Sequence, residues 1–203
     1  MIKPIVIVIG LFFLLGASLS AQQFKAGVKG GVSASQVSGD DLQGFNKPGI
    51  FLGIYTSLDI NDRSRMTLEM SYVEKGSRKL AKPDKGIYTS YKLMLNYVEI
   101  PITYQYFFNP NFSVEAGPSF GILLNQSDNE EDENGTLSVR DPFDNYELAV
   151  NGGFNYYINE KWGGGVRYSQ SVLPVREHSG GATYRLNRGQ YISMIRFFAA
   201  YKF

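Results

Sequence analysis

The chain's single histidine, His178, lies in "REHSGG" with a hydroxyl beside it at Ser179. A base and nucleophile working from one strand need i, i+2 spacing, because adjacent strand residues point to opposite faces. Gly180 and Gly181 follow, so the pair is expected in a flexible loop. No strand–nucleophile–helix context surrounds Ser179. A triad assembled across space is the alternative, but no catalytic residue is assigned and no enzymatic activity is expected. "DNEEDENG" groups Asp128, Glu130, Glu131, Asp132 and Glu133. Hard cations favour such oxygens, yet the order of ligands and the glycine of a calcium loop are missing. The expectation is a solvated acidic loop and no bound metal, with cation-bridged contact to lipopolysaccharide phosphates as the weaker alternative. "GGGVR" at 163–167 precedes no helix, so it is not a phosphate loop. No cofactor is implied.

The remaining chemistry is charge spaced by twos. Glu69, Glu99, Glu115 and Glu147 each sit among small or polar residues that alternate with apolar ones, as do Arg167, Arg196, Lys25 and Lys29. Period-2 alternation marks half-buried strands. It recurs over 24–35, 49–60, 65–73, 91–107, 112–124, 146–158, 162–172 and 190–203. Eight strands, mostly of ten or more residues, exceed the usual ~5–6 of a globular strand and match the ~9–11 of a tilted membrane-spanning one. Connections alternate between short ("NDRSR", "FNPN", "NEK") and long (36–48, 74–90, 125–145, 173–189). Outer-membrane barrels combine an even strand number, short periplasmic turns and long external loops. The expected fold is all-β: an eight-stranded antiparallel up-and-down transmembrane β-barrel.

Aromatic placement carries the same message. Phe24, Tyr106, Phe112, Tyr156, Trp162 and Phe203 fall on the apolar face beside short turns or the termini, as one girdle. Tyr72, Tyr88, Tyr91, Tyr146 and Tyr191 are candidates for the girdle at the other end. The polar face then lines a lumen that eight strands leave only wide enough for side chains. Its charges, Glu69, Glu99, Glu115, Glu147, Arg167 and Arg196, must pair, since an uncompensated buried charge costs several kcal/mol. A salt-bridged plug is the favoured expectation, and a narrow ion path or ligand slot the alternative. A wide diffusion pore would need about 16 strands.

Residues 1–21 have the pattern of a signal peptide, with Lys3, an apolar run from Ile5 to Leu15, and small residues up to Ala21. That run is too short for a spanning helix, which takes about 20 residues. Cleavage is expected after Ala21, with Ser20 nearly as good, leaving 22–203 as one barrel domain in the outer membrane. A formal net charge of +1 gives no electrostatic case for nucleic acid. The absence of Cys excludes disulfides, thiolate metal sites and a lipidated N-terminal cysteine.

"LNYVEIPITYQYFF" (95–108), "FSVEAGPSFGILL" (112–124) and the opening "FKAGVKGGVSAS" resemble the PorT-like, or porin-family, outer-membrane β-barrel domain proteins of Bacteroidota. The matching features include Asn96-Tyr97, Glu99, Pro101 and "EAGPSFG", and the likeness spans essentially the whole mature chain. The resemblance implies an eight-stranded barrel inserted by the barrel assembly machinery. That machinery reads a C-terminal strand ending in an aromatic, here Phe203, with Tyr201 on the same face. Glu99 and Pro101 carry over as structural positions. Biochemical roles in the family are mostly unassigned. The expected function is therefore a structural or interaction barrel whose long loops meet lipopolysaccharide, other outer-membrane lipids or a protein partner. A small conducting or ligand-carrying barrel is the second expectation, and a lipid-modifying enzyme the third.

Overall fold

The computed structural model describes residues 24–38, 44–79, 90–132, 135–137, 142–177 and 189–203, with side chains for all but 128–137. The signal segment, Tyr88, His178 and Ser179 lie outside the described residues. The strands are β1 (Phe24–Ser38), β2 (Lys47–Asn61), β3 (Ser64–Lys79), β4 (Ser90–Asn109), β5 (Phe112–Asp132), β6 (Gly135–Leu137), β7 (Tyr146–Tyr157), β8 (Trp162–Ser171) and β9 (Tyr191–Lys202). Each pairs antiparallel with its neighbours, and β1 pairs with β9 while β4 pairs with β5. Eight strands therefore close into a ring, and the three-residue β6 is a spur on the upper part of β5. Closure leaves no unpaired strand edge, which a hydrocarbon environment requires.

The three short turns share one device. Asn61 Oδ1 accepts from the Arg63 amide, Asn109 Oδ1 from those of Asn111 and Phe112, and Asn159 Oδ1 from those of Lys161 and Trp162. These contacts span 2.8–3.0 Å, so each asparagine side chain folds the backbone two or three residues ahead of it.

Alternation fixes the two faces. Ile50, Leu52, Ile54, Leu68, Ile102, Val150 and Phe197 point outward and are exposed, while Glu69, Thr103, Asn151 and Arg196 point inward and are buried. Inside-out polarity of this kind is unstable in water and fits lipid. At the short-turn end, outward rings stack in two groups: Tyr106 against Phe108, Phe108 against Phe112 and Phe112 against Phe154, and separately Trp162 against Tyr201 against Phe203. Phe24 and Tyr156 are exposed at the same end.

Towards the long loops the polarity inverts. Below Tyr97, β4 turns Ile100, Ile102 and Tyr104 outward and Glu99, Thr103 and Gln105 inward. Above it, Lys92 is the exposed residue while Tyr97, Leu95, Leu93 and Tyr91 are buried inside. Those four pack with Val37, Ile192, Phe143 and Val175, a water-type core stacked on a lipid-type barrel. The inversion marks where bilayer gives way to solvent. It corrects one expectation: Tyr91 is not a girdle residue but part of this inner core, at 6% exposure. Tyr146 is exposed and stacks on Phe120, whereas Tyr72 and Tyr191 are half-buried. A second correction concerns the acidic run. Backbone 128–131 continues β5 opposite 90–93 of β4, so the tract begins as strand and not as a solvated loop. The reason is that β3, β4 and β5 keep pairing beyond the bilayer, where the ladder does not depend on period-2 hydrophobicity.

Candidate functional site: the lumen

Two adjacent clusters of ion pairs fill the lumen. In the lower one, Arg167 Nε donates to Glu115 Oε1 at 2.5 Å, and its Nη1 and Nη2 both reach Glu69 Oε2 at 3.2 Å. Lys29 Nζ donates to the same Glu69 oxygen at 3.1 Å, and Gln105 Nε2 to Glu115 Oε2 at 3.0 Å. In the upper one, Lys75 pairs with Glu99 and, at 2.5 Å, with Glu147, while Arg196 Nη2 pairs with Glu99 at 2.8 Å. Each cluster holds two cations and two carboxylates and is neutral when all are ionised.

Register explains why both clusters are needed. Arg167 and Arg196 sit directly opposite one another on β8 and β9. Like charges so placed repel. Arg167 takes the lower carboxylates and Arg196 the upper one, so the opposition is relieved by splaying apart. Aromatic faces supply the rest of the surroundings. Phe198 lies beneath both Lys29 (5.2 Å) and Arg167 (5.6 Å), Phe51 beneath Arg196 (5.6 Å), and Tyr97 beneath Lys75 (5.0 Å). Cations over ring faces gain most where water is excluded. Room for two of these rings comes from inward glycines: a Cβ on Gly165 would come within 2.8 Å of the Phe198 ring, and one on Gly121 within 3.3 Å of the Tyr97 ring.

All six charged residues expected in the lumen meet there: Glu69, Glu99, Glu115, Glu147, Arg167 and Arg196 are each buried and ion-paired. Lys75 lies outside that set, because the apolar alternation of β3 fades after Val73. Carrying the odd-numbered face on from Glu69 and Ser71 would have reached it. Lys29 lies on the polar face, as its alternation implies, and its partner is Glu69. Lys25 lies instead at the short-turn rim, paired with Asp59, which also accepts from Arg65 Nε at 2.5 Å.

Above the ion pairs, among the described residues, the inner apolar core lies across the long-loop end. Phe143 and Val175, from the segments between β5 and β7 and between β8 and β9, are buried in it. The Arg176 guanidinium lies 4.0 Å from the Phe143 ring centre, and Arg176 bridges to Gln190. Chemically, a neutral, paired, ring-lined interior with an oily cap resists a continuous water column. No nucleophile–base pair occurs among the lumen residues described above.

A closed eight-stranded ring with a lipid-type exterior and polar lumen defines a bacterial outer-membrane barrel. The outer membrane protein beta-barrel domain family matches residues 20–175, and the chain belongs to that family. No curated protein matches it. Among solved structures, Ail, the attachment invasion locus protein of Yersinia pestis, is similar with a TM-score of 0.52 at 13% identity, covering 89% of this chain and 99% of Ail. Ail in a phospholipid bilayer nanodisc gives 0.50 at 12% identity, covering 89% and 100%. Neisserial surface protein A gives 0.48 at 14%, covering 89% and 97%. At these identities the likeness to Ail is one of fold. The protein resides in the bacterial outer membrane.

Proposed function

We propose that the protein is a non-conducting, non-catalytic barrel that acts through its long-loop end, where it meets lipopolysaccharide and, through the projecting strands, a protein partner. The observation that carries this reading is the combination of a sealed lumen with strands that overshoot the bilayer. β4 and β5 run for 20 and 21 residues, where ~9–11 suffice to span. The excess lies beyond the polarity inversion, where it can touch only solvent, headgroups or another molecule. Arg78 and Lys92 support lipopolysaccharide as the lipid partner: they are directly paired across β3 and β4, on the projecting part of the strands above the inversion. Two cations opposite one another repel unless an anion sits between them, and lipid A phosphate supplies one at that level. The PorT-like branch is the family assignment that fits Asn96-Tyr97, Glu99 and Pro101, and export by a cleaved signal peptide fits residues 1–21.

The test has two arms. In planar bilayers the reconstituted barrel should pass no steady current, and stable channel openings would contradict the reading. In nanodiscs, lipopolysaccharide should raise the melting temperature of the parent but not of an R78E/K92E variant. Equal shifts in both would remove the lipopolysaccharide partner.

A further inference from the structure

The two ends of the lumen differ. Among the described residues the long-loop end is capped by the apolar cluster, while the short-turn end opens into a cavity of about 310 Å³. Pockets of ~300–1,000 Å³ are the range that small-molecule ligands occupy. Its lining is basic and aromatic. Lys161, Lys202 and Arg65 line it together with Tyr55, Phe107 and Tyr157, and Glu160 is the only carboxylate on the wall. Arg65 lies over the Phe107 ring at 4.8 Å, with Nε committed to Asp59. Asp59 also takes Lys25, so that carboxylate is shared between two cations. Counting those rim groups, Lys25, Arg65, Lys161 and Lys202 face Asp59 and Glu160, an excess of two positive charges.

A small void of about 10 Å³ adjoins the cavity, shares Tyr55, Ser57, Arg65 and Tyr157 with it and reaches Lys29 and Asn155. Asn155 is 3% exposed, and its Nδ2 has no hydrogen-bond partner among the described residues. A buried amide donor left unsatisfied costs ~1–3 kcal/mol. The void has room for one water-sized acceptor, such as the outermost oxygen of a bound molecule, which would satisfy it. Beyond this point the path stops at the lower ion cluster, because Gln105 is bound to both Tyr157 and Glu115.

We infer that this blind, basic vestibule is a binding site for a small periplasmic organic anion, a carboxylate or phosphate ester carrying a flat or apolar portion. Its charge is held by Lys161 and Lys202, its body lies against Phe107 and Tyr157, and an acceptor atom reaches Asn155 Nδ2. Because the vestibule is blind, the site captures or senses the solute and does not pass it onward. The phosphate of a neighbouring phospholipid offers the same charge, but it would have to cross the aromatic rim to enter.

Isothermal titration of the refolded barrel in neutral detergent should show saturable binding of N-acetyl-phenylalanine. The amide of that probe, which lacks the charge, should bind at least tenfold more weakly. K161E/K202E should weaken the acid at least tenfold, and N155L about fivefold, with the heat-modifiable band shift unchanged as the control for folding. Binding that survives K161E/K202E, or equal affinity for acid and amide, would overturn the inference. Titration in nanodiscs of phosphatidylcholine and of phosphatidylglycerol separates the sources. Equal affinity in both supports a soluble anion, whereas loss of acid binding only with phosphatidylglycerol would mean the lipid headgroup occupies the site instead, and would overturn the soluble-solute assignment.

Discussion

Arg167→Met removes a guanidinium that makes three charge-assisted contacts, one to Glu115 and two to Glu69. Glu69 keeps Lys29, but Glu115 keeps only the neutral Gln105 amide, so the lower cluster carries one uncompensated buried negative charge. Breaking a buried pair from one side costs ~3–5 kcal/mol. Relief of the Arg167–Arg196 opposition returns up to ~1 kcal/mol. The net loss should be about 2–4 kcal/mol, or roughly 30- to 700-fold in the folding equilibrium at ~1.4 kcal/mol per decade. Reversible urea unfolding in detergent micelles or vesicles, followed by Trp162 emission, measures it. Adding Glu115→Gln restores neutrality, so the double variant should be more stable than Arg167→Met alone. The coupling energy should be at least ~1 kcal/mol, within the range seen for contacting residues. A single variant within ~0.5 kcal/mol of the parent, or strictly additive losses in the double, would refute the reasoning from charge balance.

Three further outcomes follow from the same geometry. Glu99→Ala leaves Lys75 and Arg196 both short of a partner, so its heat-modifiable transition on gels should fall well below the parent's, by a stability loss of about 3–5 kcal/mol. Ile102→Arg, outward on the membrane-spanning part of β4, should cost ~2–4 kcal/mol in vesicles, whereas Lys92→Ala, above the inversion, should change stability by less than ~0.5 kcal/mol. Gly27→Ala places a methyl against the Tyr201 carbonyl and the Tyr55 ring, and overpacking there should cost ~1–3 kcal/mol, read as a lower urea midpoint.

The strands and their facing were legible because lipid outside and polar filling inside impose period-2 alternation, the strongest local signal a sequence carries. The lumen carboxylates were legible for the same reason: Glu69, Glu99, Glu115 and Glu147 each interrupt an apolar series at the inward step. What stayed hidden lies above the bilayer. There the inward face becomes apolar, at Tyr91, Leu93 and Leu95, and the alternation that located the strands changes sign. Tyr91 therefore looked like a girdle residue and Lys75 like a loop residue. Closure of the mouth by Phe143 and Val175 depends on two segments distant in sequence meeting in space, which no local pattern encodes. The vestibule escaped notice for a similar reason, since Arg65, Lys161 and Lys202 come from three separate strand ends.

The central claim is that outward side chains of the spanning strands touch acyl chains and that this contact ends at the inversion on β4. With no native cysteine to remove, single cysteines can be placed at the outward positions 94, 98, 100, 102 and 104 and spin-labelled in lipid vesicles. Collision rates with oxygen should dominate from 98 to 104, and rates with a water-soluble nickel chelate should dominate at 94. Nickel accessibility at 100 and 102 equal to that at 94 would mean that these residues face water, and the barrel described here would not be the protein's structure in the membrane.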